Sequence, residues 1–442
     1  MSTPESHVKQ IFNSALKSVL PRNLINQKLS LAGEQLFINN HKFDLSDYSD
    51  IYIIGFGKAS AYMAATLEDL LGDRISGGAV IVKYGHTISC RKVAIYEAGH
   101  PVPDKNTLIH SQHLLDISAN ASKDDLVFCL ISGGGSSLFE ILPQSIFLED
   151  LRAVNSLLLS SGAKITEMNA LRKHLSKVKG GQLLRSIYPA TSISLIISDI
   201  LHDPVGSIAS GPTAPDNTTF RDAKVVVDKY ALGRKLPSSV IVYLQSGVEG
   251  KVTETLKEGE EAAKKAFTFV IGNIDVAIKR AKMTAQQQGY EAMISYGQMK
   301  GEASTMGRSI AQIIKQYSED RVSTRPPLCL IFGGETTVML GESSGRGGRN
   351  QELALSALIH LKDFNRNFAL ISAGTDGTDG PTDAAGALIT RQTFTDVKSL
   401  GLNPEKYLEA HDSYHFFETT GSLLKTGPTG TNVMDLVIAL VE

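Results

Sequence analysis

Short apolar runs that break into glycine-rich polar turns recur along most of this chain. Residues 51–54 are wholly apolar and pass into Gly55-Phe56-Gly57-Lys58-Ala59-Ser60, after which helical spacing continues to about residue 71. Residues 126–131 pass into Ser132-Gly133-Gly134-Gly135-Ser136-Ser137, and residues 192–197 into Ser198-Asp199 and a loop reaching Thr213. Apolar runs of this length, bounded by glycine, predict buried strands, and the helical stretches between them predict βα units. Near the N-terminus Val8, Ile11, Phe12, Ala15, Leu16 and Val19 fall at helical spacing and predict a helix over 6–20. Residues 150–186 read as helical. There Leu171, Leu175 and Val178 share a buried face, while Asn169, Arg172, Ser176 and Lys179 form a polar stripe that runs into Gly180-Gly181, expected to end or kink the helix. Charged helical pieces between about 215 and 266 are expected to bridge two domains. A second series follows: strand 267–271, helix from 275, strand 292–295, helix 302–317, then strands at 328–332, 368–372 and 433–441. Alternation without a repeat predicts two α/β domains with mainly parallel sheets, over 1–240 and 241–442.

Composition narrows the class. The chain has 442 residues, 42% hydrophobic and 20% charged, which fits a soluble globular protein of more than one domain. A net charge of −2 gives no electrostatic case for nucleic acid or an anionic membrane. Cys90, Cys129 and Cys329 are scattered, so a zinc site or disulfide frame is not expected, and the pattern fits a reducing compartment. The first twenty residues lack the apolar run of a secretory signal, and no stretch approaches the ~18 apolar residues of a membrane span. A cytoplasmic enzyme, monomeric or homodimeric, is the expectation.

The chemistry concentrates at the ends of the predicted strands. Lys58 stands at a helix N-terminus, an unfavourable place for a cation unless an anion joins it. Gly55 and Gly57 lie in the same turn. Ser132, Gly133, Gly134, Gly135 and Ser136 look like a backbone nest for a phosphate or carboxylate. Asp199, at the carboxyl end of a predicted parallel strand, is a candidate base or metal ligand, with Asp203 the fallback. Glu335, Arg349, Asn350 and Glu352 follow the strand at 328, and Asp376, Asp379 and Asp383 follow the strand at 368, among four glycines. Arginines and carboxylates beside such loops suit a phosphorylated ligand with or without a divalent cation. Asp383 has a second reading, as N-cap of a helix beginning at DAAGAL. Ser60 stands where the dinucleotide fingerprint wants a third glycine, and residues 79–82 end in Lys83-Tyr84-Gly85 with no acid for a ribose hydroxyl, which weakens an NAD reading. No P-loop sequence is present.

Together GFGKAS, ISGGGSSL, NALRKHLSKVKGGQL, the SD…DPVGSIASGPT loop, GGETTV, GRGGRNQELAL, SAGTDGTDGPTDAAGA and TGPTGTNV strongly resemble the glycerate kinase class II family, also called the MOFRL family. The resemblance spans nearly the whole chain, with a MOFRL region at about 328–435. It implies a Rossmann-like N-terminal domain, an active site in the interdomain cleft, and ATP-dependent phosphorylation of D-glycerate, with the 2-hydroxyl the expected acceptor. By motif, the family lysine matches Lys58, its S-D aspartate Asp199 and its G-G-R-N-Q-E arginine Arg349; these are the expected catalytic residues. ATP would be held by Gly55, Gly57, the Ser132–Ser136 stretch, Glu335, Asn350 and Asp379, and Mg2+ by Asp376, Asp379 and Asp383, with Glu335 a further candidate for the ion. Arg172 and Lys179 would take the glycerate carboxylate. Replacing Lys58 or Arg349 by alanine is expected to leave folding intact and abolish turnover. One departure is His202, where the family pattern has glycine. An NAD(P)H-dependent hydroxypyruvate reductase and a non-catalytic nucleotide sensor are the competing readings.

Overall fold

The computed structural model describes residues 3–295, 299–319, 326–341 and 345–442; residues 342–344, just before the GRGG motif, lie outside them. The chain forms two compact units. One comprises Leu24–Ile271, the other Met1–Asn23 together with Gly272–Glu442. The division therefore differs from the expected 1–240 and 241–442. The N-terminal helix Pro4–Ser18 buries Val8, Ile11, Phe12 and Ala15 and packs on the helix Ile274–Gln287 of the second unit. A helix with a single apolar stripe must cover some apolar face, and its partner need not be near in sequence.

The Leu24–Ile271 unit opens with a small antiparallel sheet, β1 (Leu29–Ala32), β2 (Gln35–Ile38) and β3 (His41–Asp44). Its main sheet contains β4 (Ile51–Phe56), β5 (Gly77–Lys83), β6 (Val93–Ala98), β7 (Leu126–Ile131), β8 (Thr191–Ile197) and β9 (Ala266–Gly272), in the order β6-β5-β4-β7-β8-β9. Strands β6 to β8 pair in parallel. This is the sheet that the apolar runs predicted. β7 is buried at every position, because helices cover both faces of a parallel sheet. The stretch expected as one helix over 150–186 is instead three, Leu148–Ser160, Ile165–His174 and Gln182–Ile187. Gly180 and Gly181 join the last of these at φ 58 and 76, donating to Ser210 and Gly211 carbonyls. A side chain there would meet Thr255 and Leu256 at under 3 Å, so glycine suits both the positive φ and the close approach, with Gly181 as N-cap of Gln182–Ile187.

The other unit holds β10 (Glu291–Ile294), β11 (Leu328–Gly334), β12 (Phe368–Gly374), β13 (Gly386–Thr390), β14 (Leu423–Leu424) and β15 (Asp435–Val441), in the order β10-β11-β15-β12-β13-β14. Here the expectation of mainly parallel strands is corrected. Among its described strands only β10 and β11 pair in parallel; β15 runs antiparallel between β11 and β12, and β13 and β14 continue antiparallel. The last strand closes the sheet by inserting at its centre, which no local pattern announces. The DAAGAL segment leads into β13, so Asp383 caps no helix. Among the described residues, no helix is long and apolar enough to cross a membrane.

Candidate functional site

In the Leu24–Ile271 unit the neighbouring strands β4, β7 and β8 end in register, Phe56 beside Ile131 and Ile131 beside Ile196. Their following residues, Gly57-Lys58, Ser132-Gly133 and Ser198-Asp199, therefore share one sheet edge. With strands ~4.8 Å apart, the turns carrying Lys58 and Asp199 start roughly 10 Å from each other. The lysine turn is locked to its neighbour. Lys58 N–H donates to the Gly133 carbonyl (2.9 Å), Ala59 N–H to Ser132 Oγ (3.0 Å) and Ser60 Oγ to the Leu130 carbonyl (3.1 Å). Ser60, which breaks the dinucleotide fingerprint, thus binds strand to helix. Gly57 has φ 129, and an added Cβ would lie 2.3 Å from Ser132 Oγ. Gly55 is nearly as enclosed, with Leu130 O at 2.8 Å from such an atom.

The serine-flanked glycines turn at Gly134, whose φ is 84, into a single helical turn Gly135–Leu138. The Lys58 side chain and the His100 ring flank Gly134; an added Cβ would lie 2.8 Å from the imidazole and 3.6 Å from Lys58 Cγ. Ser136 Oγ sits 2.9 Å from Ser210 Oγ, which donates to Asn169 Oδ1 at 3.2 Å. Ser136 supplies the proton of the first pair. The loop after Asp199 is strained: His202, Asp203, Ala209 and Ser210 all have φ between 50 and 66. Non-glycine residues in that region cluster at functional sites. Glycine, expected from the resemblance at His202, would adopt φ 66 without strain.

A cavity of about 510 Å³ adjoins the glycine turn and is lined by His100, Gly134, Ser136, Ser137, Glu140, Arg152, Asn155, Arg172 and Lys179, with Val102, Leu151 and Leu159 among its apolar wall. It brings Gly134 and Ser136 together with Arg172 and Lys179, both expected to bind substrate. The two differ in availability. Lys179 is 1% exposed and donates to Glu140 (2.5 Å) and to the Phe139 carbonyl (3.0 Å). Burial pushes the Lys179 ammonium down and the Glu140 carboxyl up, each opposed by the other's charge. Lys179 is thus committed to an internal pair beneath the cavity. Arg172 donates from Nε to Asn155 Oδ1 at 2.8 Å, which fixes the plane of its guanidinium in the cavity wall. Burial lowers its pKa, opposed by the Glu140 charge. The sequence pointed to neither His100 nor Glu140; a lone acid inside the apolar run FEIL was the available signal for a buried pair.

In the second unit Arg349 opens the helix Arg349–His360. It donates from Nε and Nη2 to Asp435 at 2.5 and 2.9 Å, and Nη1 meets Glu335 at 2.6 Å. Burial opposes the charge of the guanidinium, yet Asp435, helped by Glu335 and Asp379, holds its pKa above the ordinary value. Asp435 begins β15 in register with Gly334 and Gly374, so the ends of three adjacent strands meet at this arginine. The sequence did not point to Asp435, although it lies two residues beyond the TGPTGTNV motif.

The acids expected to hold nucleotide and metal are placed differently from one another. Asp379 is 2% exposed and accepts from the backbone N–H groups of Asn350 (3.0 Å) and Gln351 (2.8 Å) and from both of their side-chain amides. It holds the N-terminus of the helix that carries Arg349. Burial pushes its carboxyl up to about 6 against those amide bonds. Asn350 is equally inward, accepting from Ser372 Oγ at 2.9 Å. Neither presents its side chain to a nucleotide, a correction to that expectation. Asp383 accepts from Tyr414 (2.7 Å) and Lys425 (2.8 Å), which hold its carboxyl down at about 2. Asp376 Oδ1 accepts from Thr378 N–H and Oγ1, both at 3.0 Å. With both Asp379 oxygens on the helix and both Asp383 oxygens on Tyr414 and Lys425, the expected trio does not fit a metal ion. Among the described residues no group of three His, Cys, Asp or Glu side chains is gathered for one.

Comparison with known proteins agrees over nearly the full length. Residues 7–245 match the family described as a domain of unknown function (DUF4147), and residues 328–435 match the MOFRL family. The glycerate 2-kinase of Pyrococcus horikoshii is 40% identical over 432 residues, 98% of this chain and 96% of that protein. The crystal structure of the glycerate kinase of Thermotoga maritima superposes with a TM-score of 0.84 at 38% identity, covering 99% of both chains. A protein of Agrobacterium vitis named as a putative hydroxypyruvate reductase is 40% identical over 88% of this chain and 86% of its own length.

Proposed function

Because the chain belongs to the glycerate kinase class II, or MOFRL, family, we infer that it is an ATP-dependent glycerate kinase, transferring the γ-phosphoryl group to a hydroxyl of D-glycerate and releasing ADP. The observation that carries this reading is similarity to glycerate kinases along nearly the entire chain. The 2-hydroxyl is the proposed acceptor, in keeping with the name of the Pyrococcus relative. The proposed enzyme is cytoplasmic, acts on small molecules as a monomer or homodimer, and has no nucleic-acid or membrane partner.

Phosphoryl transfer asks the protein mainly to position groups and neutralise charge. In the proposed scheme Lys58 and the Ser132–Ser136 turn hold anionic oxygens. Asp199 accepts the proton of the attacking hydroxyl, and Arg349 stabilises charge on the transferred group. Arg172, its plane fixed by Asn155, takes the glycerate carboxylate in the cavity beside Gly134. Lys179 serves indirectly, through Glu140. Asp379 and Asn350 act by holding the helix of Arg349. Mg2+ is assigned to the triphosphate rather than to the trio of aspartates, and bound there it neutralises phosphate charge.

The test is ADP release by the purified protein with Mg-ATP and D-glycerate, with phosphorus NMR of the product. Release that needs both substrates supports the kinase, and phosphorus–proton coupling assigns the hydroxyl. Arg172→Gln should raise KM for D-glycerate well above its effect on KM for ATP. No release from folded protein across several hydroxy acids, with quenching of NADH fluorescence, would move the assignment to the reductase. The absence of an acid after β5 weighs against that outcome.

A further inference from the structure

An arginine carries five N–H donors in one plane, so the edge that is already occupied decides where an incoming anion can bind. Asp435 takes the Nε–Nη2 edge of Arg349 from a carboxylate that is 1% exposed. Glu335 meets Nη1, from a side chain that is 46% exposed. These partners differ in kind. A buried bidentate pair fixes orientation; an exposed single contact is weak and exchanges readily.

The fixed partner is anchored by topology. Asp435 is the first residue of a strand that is paired along both sides, to β11 and to β12. Its strand neighbour Gly374 leaves room for the carboxylate: a Cβ there would stand 3.3 Å from Asp435 Oδ1. At the other end Arg349 is held by its helix, whose first amides donate to Asp379. Neither side of the pair can drift without disturbing regular structure.

We propose that Asp435 is the positioning residue of Arg349, gripping one edge of the guanidinium so that the Nη1 side faces a phosphoryl group, while Glu335 keeps that place until phosphate displaces it. The inference rests on the kinase role given to Arg349 above. It predicts that Asp435→Asn, which turns an N–H donor toward a donor, lowers kcat about 100-fold while KM for D-glycerate stays within about threefold. A variant that only folded less well would lose active enzyme, and active-site titration would account for the deficit. Asp435→Asn at wild-type kcat overturns the proposal.

Chemical rescue tests the same grip from the side of the arginine. Millimolar guanidinium should restore turnover to Arg349→Ala, where Asp435 remains to dock the free cation. It should not restore the double variant Arg349→Ala/Asp435→Asn, which leaves no stranded charge. Equal rescue of both, or rescue of neither, overturns the proposal. Arg349→Ala with undiminished turnover is a separate result: it removes the kinase role of Arg349, and this inference with it.

Discussion

Truncating Arg349 to alanine strands Asp435, a carboxylate 1% exposed whose cation is then gone. Breaking a buried ion pair from one side typically costs about 3–5 kcal/mol, because the remaining charge stays out of water. The Glu335 contact is 46% exposed on its acid side and adds little. Arg349 is itself one-third exposed, and water can enter the space it leaves, so the low end of the range applies. A loss of about 3 kcal/mol should lower Tm by roughly 6–12 °C in a unit of this size. The expectation from sequence, that this arginine can be removed without harm to folding, is therefore replaced by a definite penalty. Arg349→Ala/Asp435→Asn removes both charges and should return to within about 1 kcal/mol of the parent, since losing both partners is far milder than losing one. The assay is urea or thermal unfolding followed by circular dichroism at pH 7, on the parent, both single variants and the double. Arg349→Ala as stable as the parent would mean that Asp435 is not sealed from water. A double variant no better than Arg349→Ala would show that the stranded carboxylate is not the source of the loss.

Gly57→Ala combines φ 129 with a Cβ 2.3 Å from Ser132 Oγ, and should cost more than about 3 kcal/mol, seen as poor soluble yield or a large fall in Tm; near-parental stability would refute the packing of the lysine turn. His202→Gly should relieve the strain at φ 66 and raise stability by up to about 1 kcal/mol; a fall in Tm would show that the imidazole's own contacts outweigh the strain. Asp379 titrates in the fold at about 6, above the ordinary aspartate value near 4, so its stabilising contribution is complete below the lower value and is lost as pH rises through the upper. Asp379→Asn should therefore flatten the stability profile between about pH 4 and 6, by an amount on the order of 2–3 kcal/mol. Parallel profiles in urea titrations of the two proteins would contradict this.

Much of the first unit was legible without coordinates. β4, β7 and β8 are buried on both faces, so their apolar runs stand out, and each ends in a turn whose glycines and serines are short-range signals. Lys58, the Ser132–Ser136 stretch and Asp199 could be named for that reason. The stripe over 169–179 predicts two faces of one helix, but the helix ends at His174, and Lys179, expected to meet a ligand, pairs with Glu140, thirty-nine residues away. In the second unit more was hidden. Asp379, among glycines, reads as a ligand for nucleotide and metal, but it caps a helix that begins thirty residues earlier. Asp383 lost its expected helix to β13.

The sequence by itself determined where strands stop, where the backbone must turn tightly and which residue types wait there, because hydrophobic period and turn chemistry act over a few residues. It also carried the family. Tertiary structure alone decided that the N-terminal helix joins the C-terminal unit, that β15 enters antiparallel between β11 and β12, and that Asp435 meets Arg349 across eighty-six residues of chain. Which charges end as internal partners and which remain for a ligand depends on which strand ends become neighbours, and that is set by long-range burial of apolar faces rather than by any local pattern.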